Sequence, residues 1–126
     1  MSPLTGISSM ATRQVLADLV AMYERETGAK VAIESVGGVD AAKRVRAGER
    51  FDVVILASNV IDQLIAERHA LPGSRVDLVR SGVAIAVRAG APHPDIGSEN
   101  AVREAVSRAR SLSYSTGPSG DYLAKL

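Results

Sequence analysis

Four short stretches of small, uncharged, hydrogen-bonding residues are where this sequence could do chemistry. They are Ser8-Ser9 with Thr12, Gly37-Gly38, Ser58-Asn59, and Ser115-Thr116-Gly117-Pro118-Ser119-Gly120. Each stands between a strand-like apolar run and a helix-like one. Small residues let a solute approach backbone N–H groups, and hydroxyls add donors. The macrodipole at a helix N-terminus favours negative charge. One such junction is equally a plain cap or turn. Several together, with no charged residue among them, point to a neutral-donor site for an anion or small polar solute. The last turn is the most specific of the four. Gly117 permits positive φ, Pro118 presets a helix start, and Ser119 and Gly120 leave N–H groups free.

Other chemistries lack their residues. No Gly-Lys-Ser/Thr follows a glycine loop and no Gly-x-Gly-x-x-Gly occurs, so nucleotide and dinucleotide sites are not expected. Ser9 or Ser119 as a nucleophile would need a neighbouring base, and the Gly-x-Ser-x-Gly elbow is absent. His69 falls at a helix end and His93 in a Pro-rich loop, both read as solvated. Asp40 belongs in the first turn of a helix, where a carboxylate is favourable without any function. Asp52 opens a strand at the end opposite the junctions. His and carboxylates do not cluster at metal-ligand spacing, and cysteine is absent. The expectation is a non-catalytic protein with no cofactor and no metal.

The elements that must position these junctions follow from periodicity. Leu4–Ile7 reads as a strand. Val15, Leu16, Leu19, Val20 and Tyr23 fall on one helix face, capped by Ser9 or Thr12 and stopped by Gly28. Lys30–Val36 alternates as a second strand. Ala41, Ala42 and Val45 form a helical stripe that Gly48 ends. Phe51–Ala57 is an almost continuous apolar run, the pattern of a strand buried on both faces. A helix with Val60, Ile61, Leu64 and Ile65 on one side follows Ser58-Asn59. Val76–Val79 and Val83–Val87 read as an extended pair. Ser98 caps a helix carrying Ala101, Val102, Ala105, Val106 and Ala109, and Leu112–Ser115 reads as a short strand before a helix from Asp121. Alternation of this kind indicates parallel βαβ units, hence an α/β fold with a parallel-rich sheet flanked by helices.

Composition agrees. The 126 residues are 46% hydrophobic but only 3% aromatic, so the core is built from aliphatic side chains. Fifteen basic and fourteen acidic residues are interleaved and leave a net charge of +1, with no basic run for nucleic acid. Apolar stretches are too short to span a membrane, and the N-terminus lacks a basic region followed by an apolar run. The expected location is periplasmic or extracellular if a signal peptide was removed, and otherwise cytoplasmic.

Three stretches carry a resemblance. Leu19–Val31 (LVAMYERETGAKV) resembles the helix–Gly–strand of extracellular solute-binding proteins. Arg46–Ile55 (RAGERFDVVI) is similar to their AGxxxDVxI stretch, and Gly73–Val87 resembles the strand that leads from lobe one into lobe two. Together they look most like the molybdate-binding branch of the type 2 periplasmic binding proteins. The resemblance implies a two-lobed receptor for an ABC importer that closes on a tetrahedral oxyanion held by amides and hydroxyls. The junctions, with the two loops that the resemblance matches, give as candidate contacts Ser8, Ser9, Met10, Thr12, Gly37, Gly38, Val39, Ser58, Ser115, Thr116, Gly117, Ser119 and Gly120. The family's first loop usually reads Ala-Ala-Ser-Leu and its second is Ser-rich. Here they read Ser8-Ser9-Met10-Ala11 and Gly37-Gly38-Val39-Asp40. Lobe one would span residues 1–80 and an incomplete lobe two residues 81–126, with the remainder beyond Leu126. Apolar surface would then be exposed, and the chain would associate, for instance as a homodimer. The alternative from a different class is a ligand-sensing domain of an intracellular transcriptional regulator with the same fold.

Overall fold

A computed structural model describes residues 2–125, the side chain of Pro118 excepted. The chain divides at Ser81/Gly82 into two compact units. The first holds β1 (Leu4–Ser9), a 3-10 turn (Met10–Thr12), α1 (Arg13–Thr27), β2 (Val31–Val36), α2 (Gly38–Arg46), β3 (Val53–Ile55) and α3 (Ser58–Ala66). The second holds α4 (Glu99–Arg108) and α5 (Pro118–Ala124).

The three strands form one sheet of order β2-β1-β3, parallel throughout. Register aligns Leu4 with Val31, Ser8 with both Ser35 and Ile55, and Ser9 with Val36. Since β1 is central, the β1–β2 and β2–β3 crossovers travel in opposite directions. Right-handed crossovers then put their helices on opposite faces. Ile7, fully buried, packs with Ala41, Val45 and Leu64 of α2 and α3. By alternation Gly6 and Ser8 face the other side, toward α1. A Cβ on Gly6 would lie 3.2 Å from Ile33 Cγ1 and 3.4 Å from the Val53 carbonyl oxygen, so glycine lets three strands meet closely there.

Local signals are satisfied where they were legible. Gly28 terminates α1 in the left-handed region at φ 71°, its N–H bonded to the Glu24 carbonyl. The Glu24 carboxylate accepts from Val31 N–H at 2.9 Å, tying the end of α1 to the start of β2. That backbone bond, with Lys30 at 3.5 Å, holds the Glu24 carboxyl below its ordinary value. Asp52 accepts from Thr5 N–H at 2.8 Å at the amino edge of the sheet, opposite the helix-bearing junctions.

Three expectations are corrected. The 51–57 run yields only β3, and Val53 is 47% exposed. It is an edge strand with one neighbour, so it is not buried on both faces. Residues 76–79, 83–87 and 112–115 form no ladder among the described residues. A strand exists through a hydrogen-bonded neighbour, and the structure supplies none. Val76, Leu78, Val79, Val83, Ile85, Val87, Leu112 and Tyr114 are accordingly exposed. The last helix begins at Pro118, not Asp121, because proline is favoured at N1.

The α2 face carries a charged cluster with a measurable consequence. Arg44 donates to Glu34 on β2 at 2.8 Å and to Glu49 at 2.6 Å, and its guanidinium lies 5.6 Å from the Phe51 ring centre. The hydrogen bonds from Arg44 lower both carboxyls below the ordinary 4.5. A depressed carboxyl stabilises the fold fully above its unfolded value, and the contribution is lost as pH falls through the folded one. Urea midpoints are therefore expected to fall between pH 6 and pH 3. In Arg44→Gln the decline should be shallower. A parallel decline in both proteins would refute the assignment.

Candidate ligand-binding site

Parallel sheets present ligands beyond the carboxyl ends of their strands, where successive connections leave toward opposite faces. In the first unit that place is the end of β1. The chain leaves β1 toward α1 on one face and leaves β2 and β3 toward α2 and α3 on the other. Parallel pairing therefore brings Ser8, Ser9, Met10 and Thr12, then Gly37, Gly38 and Val39, then Ser58, to one sheet edge.

The backbone at this edge is open to a ligand. The first N–H groups of a helix have no carbonyl partner within the helix and are ordinarily capped by a side chain. Here the N-cap residues of α2 and α3 are Gly37 and Ala57, neither with a side-chain cap bond. Ser9 and Thr12, expected as caps of α1, make no cap bond either. The Thr12 hydroxyl and the Ser8 hydroxyl turn back instead to the Ser9 carbonyl, at 3.5 and 3.1 Å. Helix α4 shows the contrast, since Ser98 Oγ accepts from Ala101 N–H at 3.1 Å, as its sequence indicates.

Ser8 is the only buried polar residue among those described. Its hydroxyl lies 2.7 Å from that of Ser35, its register partner on β2. Neither side chain projects freely, and together they form a hydroxyl pair on the α1 side of the sheet. Met10, Val39 and Ser58 are exposed. The carboxylate nearest the edge is Asp40, in the first turn of α2. Where an N-terminal turn already carries this charge, the dipole is partly compensated.

Ser115, Thr116, Gly117, Ser119 and Gly120 lie in the second unit. Gly117 is the N-cap of α5, without a side-chain cap bond, and the Ser115 and Ser119 hydroxyls are 3.0 Å apart. Both histidines stand outside these junctions. His93 is exposed in a loop of the second unit, and His69 follows α3 at the amino edge.

Two concavities accompany the first unit. One, of about 450 Å³, lies at the amino edge, between Thr5, Asp52, Arg68 and His69. The other, of about 590 Å³, lies between α1 and β2, and its lining includes Arg13 and Ser35. Neither residue stands out in the sequence. Ser35 is one serine in an alternating strand, and only the strand register places it against Ser8.

Comparison with known proteins places the chain in a family. The family model described as bacterial extracellular solute-binding protein matches residues 4–126. A curated relative named aconitate isomerase, from Pseudomonas sp, is 35% identical over 131 aligned positions. That match covers 100% of this chain and 50% of the relative, so the chain spans about half the relative's length. No solved structure matches.

Proposed function

Because the chain belongs to the bacterial extracellular solute-binding protein family, we propose that it forms the ligand-bearing part of a receptor for a small anion. The observation that carries this reading is the set of uncapped helix N-termini at one carboxyl edge. Their N–H groups suit a multiply charged oxyanion or carboxylate. Molybdate and tungstate suit the sequence resemblance, and aconitate, the molecule in the relative's name, is a carboxylate anion of the same broad class. The protein acts outside the cytoplasmic membrane and delivers its solute to an ABC permease. Residues 2–81 are the first lobe and residues 82–125 part of the second. Release without reaction is the expected fate of the solute.

Catalysis is the second reading, and the relative's name favours it. An isomerase working by proton transfer needs a positioned base. At the first unit's edge the available carboxylate is Asp40.

One titration series tests both readings. Calorimetry of the full-length protein with molybdate, tungstate, sulfate, phosphate and aconitate should give heat with at least one. No heat with any of the five defeats the anion reading. Proton NMR of aconitate with the protein should show no change of isomer over hours. Conversion that disappears in Asp40→Asn would replace a receptor by an enzyme.

A further inference from the structure

The concavity between α1 and β2 has two chemically different ends. Helix α1 runs back along the strands, so its first residue stands at the carboxyl edge and its middle lies deeper along the sheet face. Arg13 and Ser35 accordingly mark the edge end, and Leu16, Val20, Val31 and Ile33 line the rest. The space, about 590 Å³, is of the size that small solutes occupy. Ser35 connects it to the buried Ser8 hydroxyl, and through Ser8 to the Ser9 carbonyl.

Arg13 is oddly placed for a purely structural residue. A cation in the first turn opposes the helix macrodipole, and α1 has no acidic residue in that turn to offset it. Arg13 has no ion pair among the described residues. Arg44, Arg46 and Arg75 of this unit each hold a carboxylate, whereas Arg25, Arg50, Arg68 and Arg80, like Arg13, hold none among the described residues, and Arg13 differs from these four in lining this groove. A guanidinium is a planar fork that matches a carboxylate with two parallel bonds.

We propose that Arg13 selects the solute, and that the solute is a small carboxylate with a hydrocarbon portion. Its carboxylate sits on the Arg13 guanidinium at the edge end of the groove, and its carbon skeleton lies against Leu16, Val20, Val31 and Ile33. The groove commits to that occupant through charge and shape together. A bare tetrahedral oxyanion leaves the apolar wall unused, and an apolar solute leaves Arg13 unpaired. The inference rests on the anion reading of the same edge and narrows it to one chemical class.

The test is calorimetry of the full-length protein and its Arg13→Gln and Arg13→Lys variants, with trans-aconitate, tricarballylate and molybdate as probes. Circular dichroism confirms that each variant is folded. Wild type should bind a carboxylate probe. Arg13→Gln should weaken it roughly 10- to 100-fold, the effect of losing a charge-assisted hydrogen bond. Arg13→Lys should recover part of the loss, since charge returns without the fork. Equal carboxylate affinity in Arg13→Gln overturns the proposal. So does wild type that binds molybdate but neither carboxylate, a result that leaves the anion reading intact. Absence of heat with all three probes overturns the Arg13 proposal, and molybdate, sulfate and phosphate titrations then decide the broader reading.

Discussion

Leu64→Ala is expected to lower the unfolding free energy by about 2–5 kcal/mol. Leu64 is fully buried and is where α3 meets Ile7 of the central strand and Ala41 and Val45 of α2. The fully buried hydrophobic side chains number few, and Ile7 and Leu64 are the largest of them. Truncating Leu64 therefore removes a large share of this small buried cluster with Ile7, Ala41 and Val45 and leaves a cavity in it. The loss also bears on the site, because α3 delivers Ser58 to the sheet edge. Met22→Ala on α1 is the control. Met22 is 49% exposed, and its truncation should change stability by no more than about 0.5 kcal/mol. Urea unfolding of the three proteins measures the difference. Equal midpoints for Leu64→Ala and wild type would mean that α3 does not pack on the sheet as described.

Ala57→Asp is expected to stabilise the protein while removing its ligand. Ala57 is the N-cap of α3 with φ −56° and ψ 141°; its carbonyl accepts from Val60 N–H at 2.9 Å and Ile61 N–H at 3.0 Å, but it supplies no side-chain oxygen to the N–H groups before them. Aspartate among N-cap residues is strongly preferred over alanine, by about 1 kcal/mol. Its carboxylate would take up the amides and place negative charge where the anion is proposed to sit. The expected outcome is a slightly raised melting temperature with anion affinity reduced about tenfold or more. Ala57→Asn separates the two effects, because it caps without charge and should cost less affinity. A capped Ala57→Asp that binds as tightly as wild type would move the ligand away from α3. The expected sign is unusual for a site substitution, since most lose stability and function together.

The Leu64 and Ala57 effects depend on features of different legibility. The α1 stop at Gly28, the buried stripe of Ala41, Ala42 and Val45, and the Ser98 cap can all be read along the chain. Each is a local event, decided within one or two helical turns by backbone conformation or side-chain period. The β2 span is legible to within one residue, whereas β1 runs two residues past the Leu4–Ile7 read from the sequence, because Ser8 and Ser9 continue the ladder with Ser35 and Val36. The run at residues 51–57 is not legible, because its apolar residues report only that burial is wanted. How many neighbours it receives is a tertiary matter, and β3 receives one. The same holds for residues 76–79 and 83–87, whose β-branched alternation predicts strands that the described structure leaves unladdered and exposed.

The candidate site divides along the same line. From the sequence alone come the small uncharged junctions and the α/β alternation. Both are composition and spacing, written in consecutive residues. The tertiary structure decided which junctions share an edge. It put Ser8, Gly37 and Ser58 at the carboxyl ends of three parallel strands, and the Ser115–Gly120 turn in a separate unit. It also decided that Ser9 and Thr12 leave their helix uncapped, and that Ser35 lies against Ser8 and shares a groove with Arg13. Such pairings join residues 20 or more positions apart through strand register and crossover hand. A one-residue slip would turn Ser35 to the opposite face without changing a single local preference, so only the assembled sheet determines it.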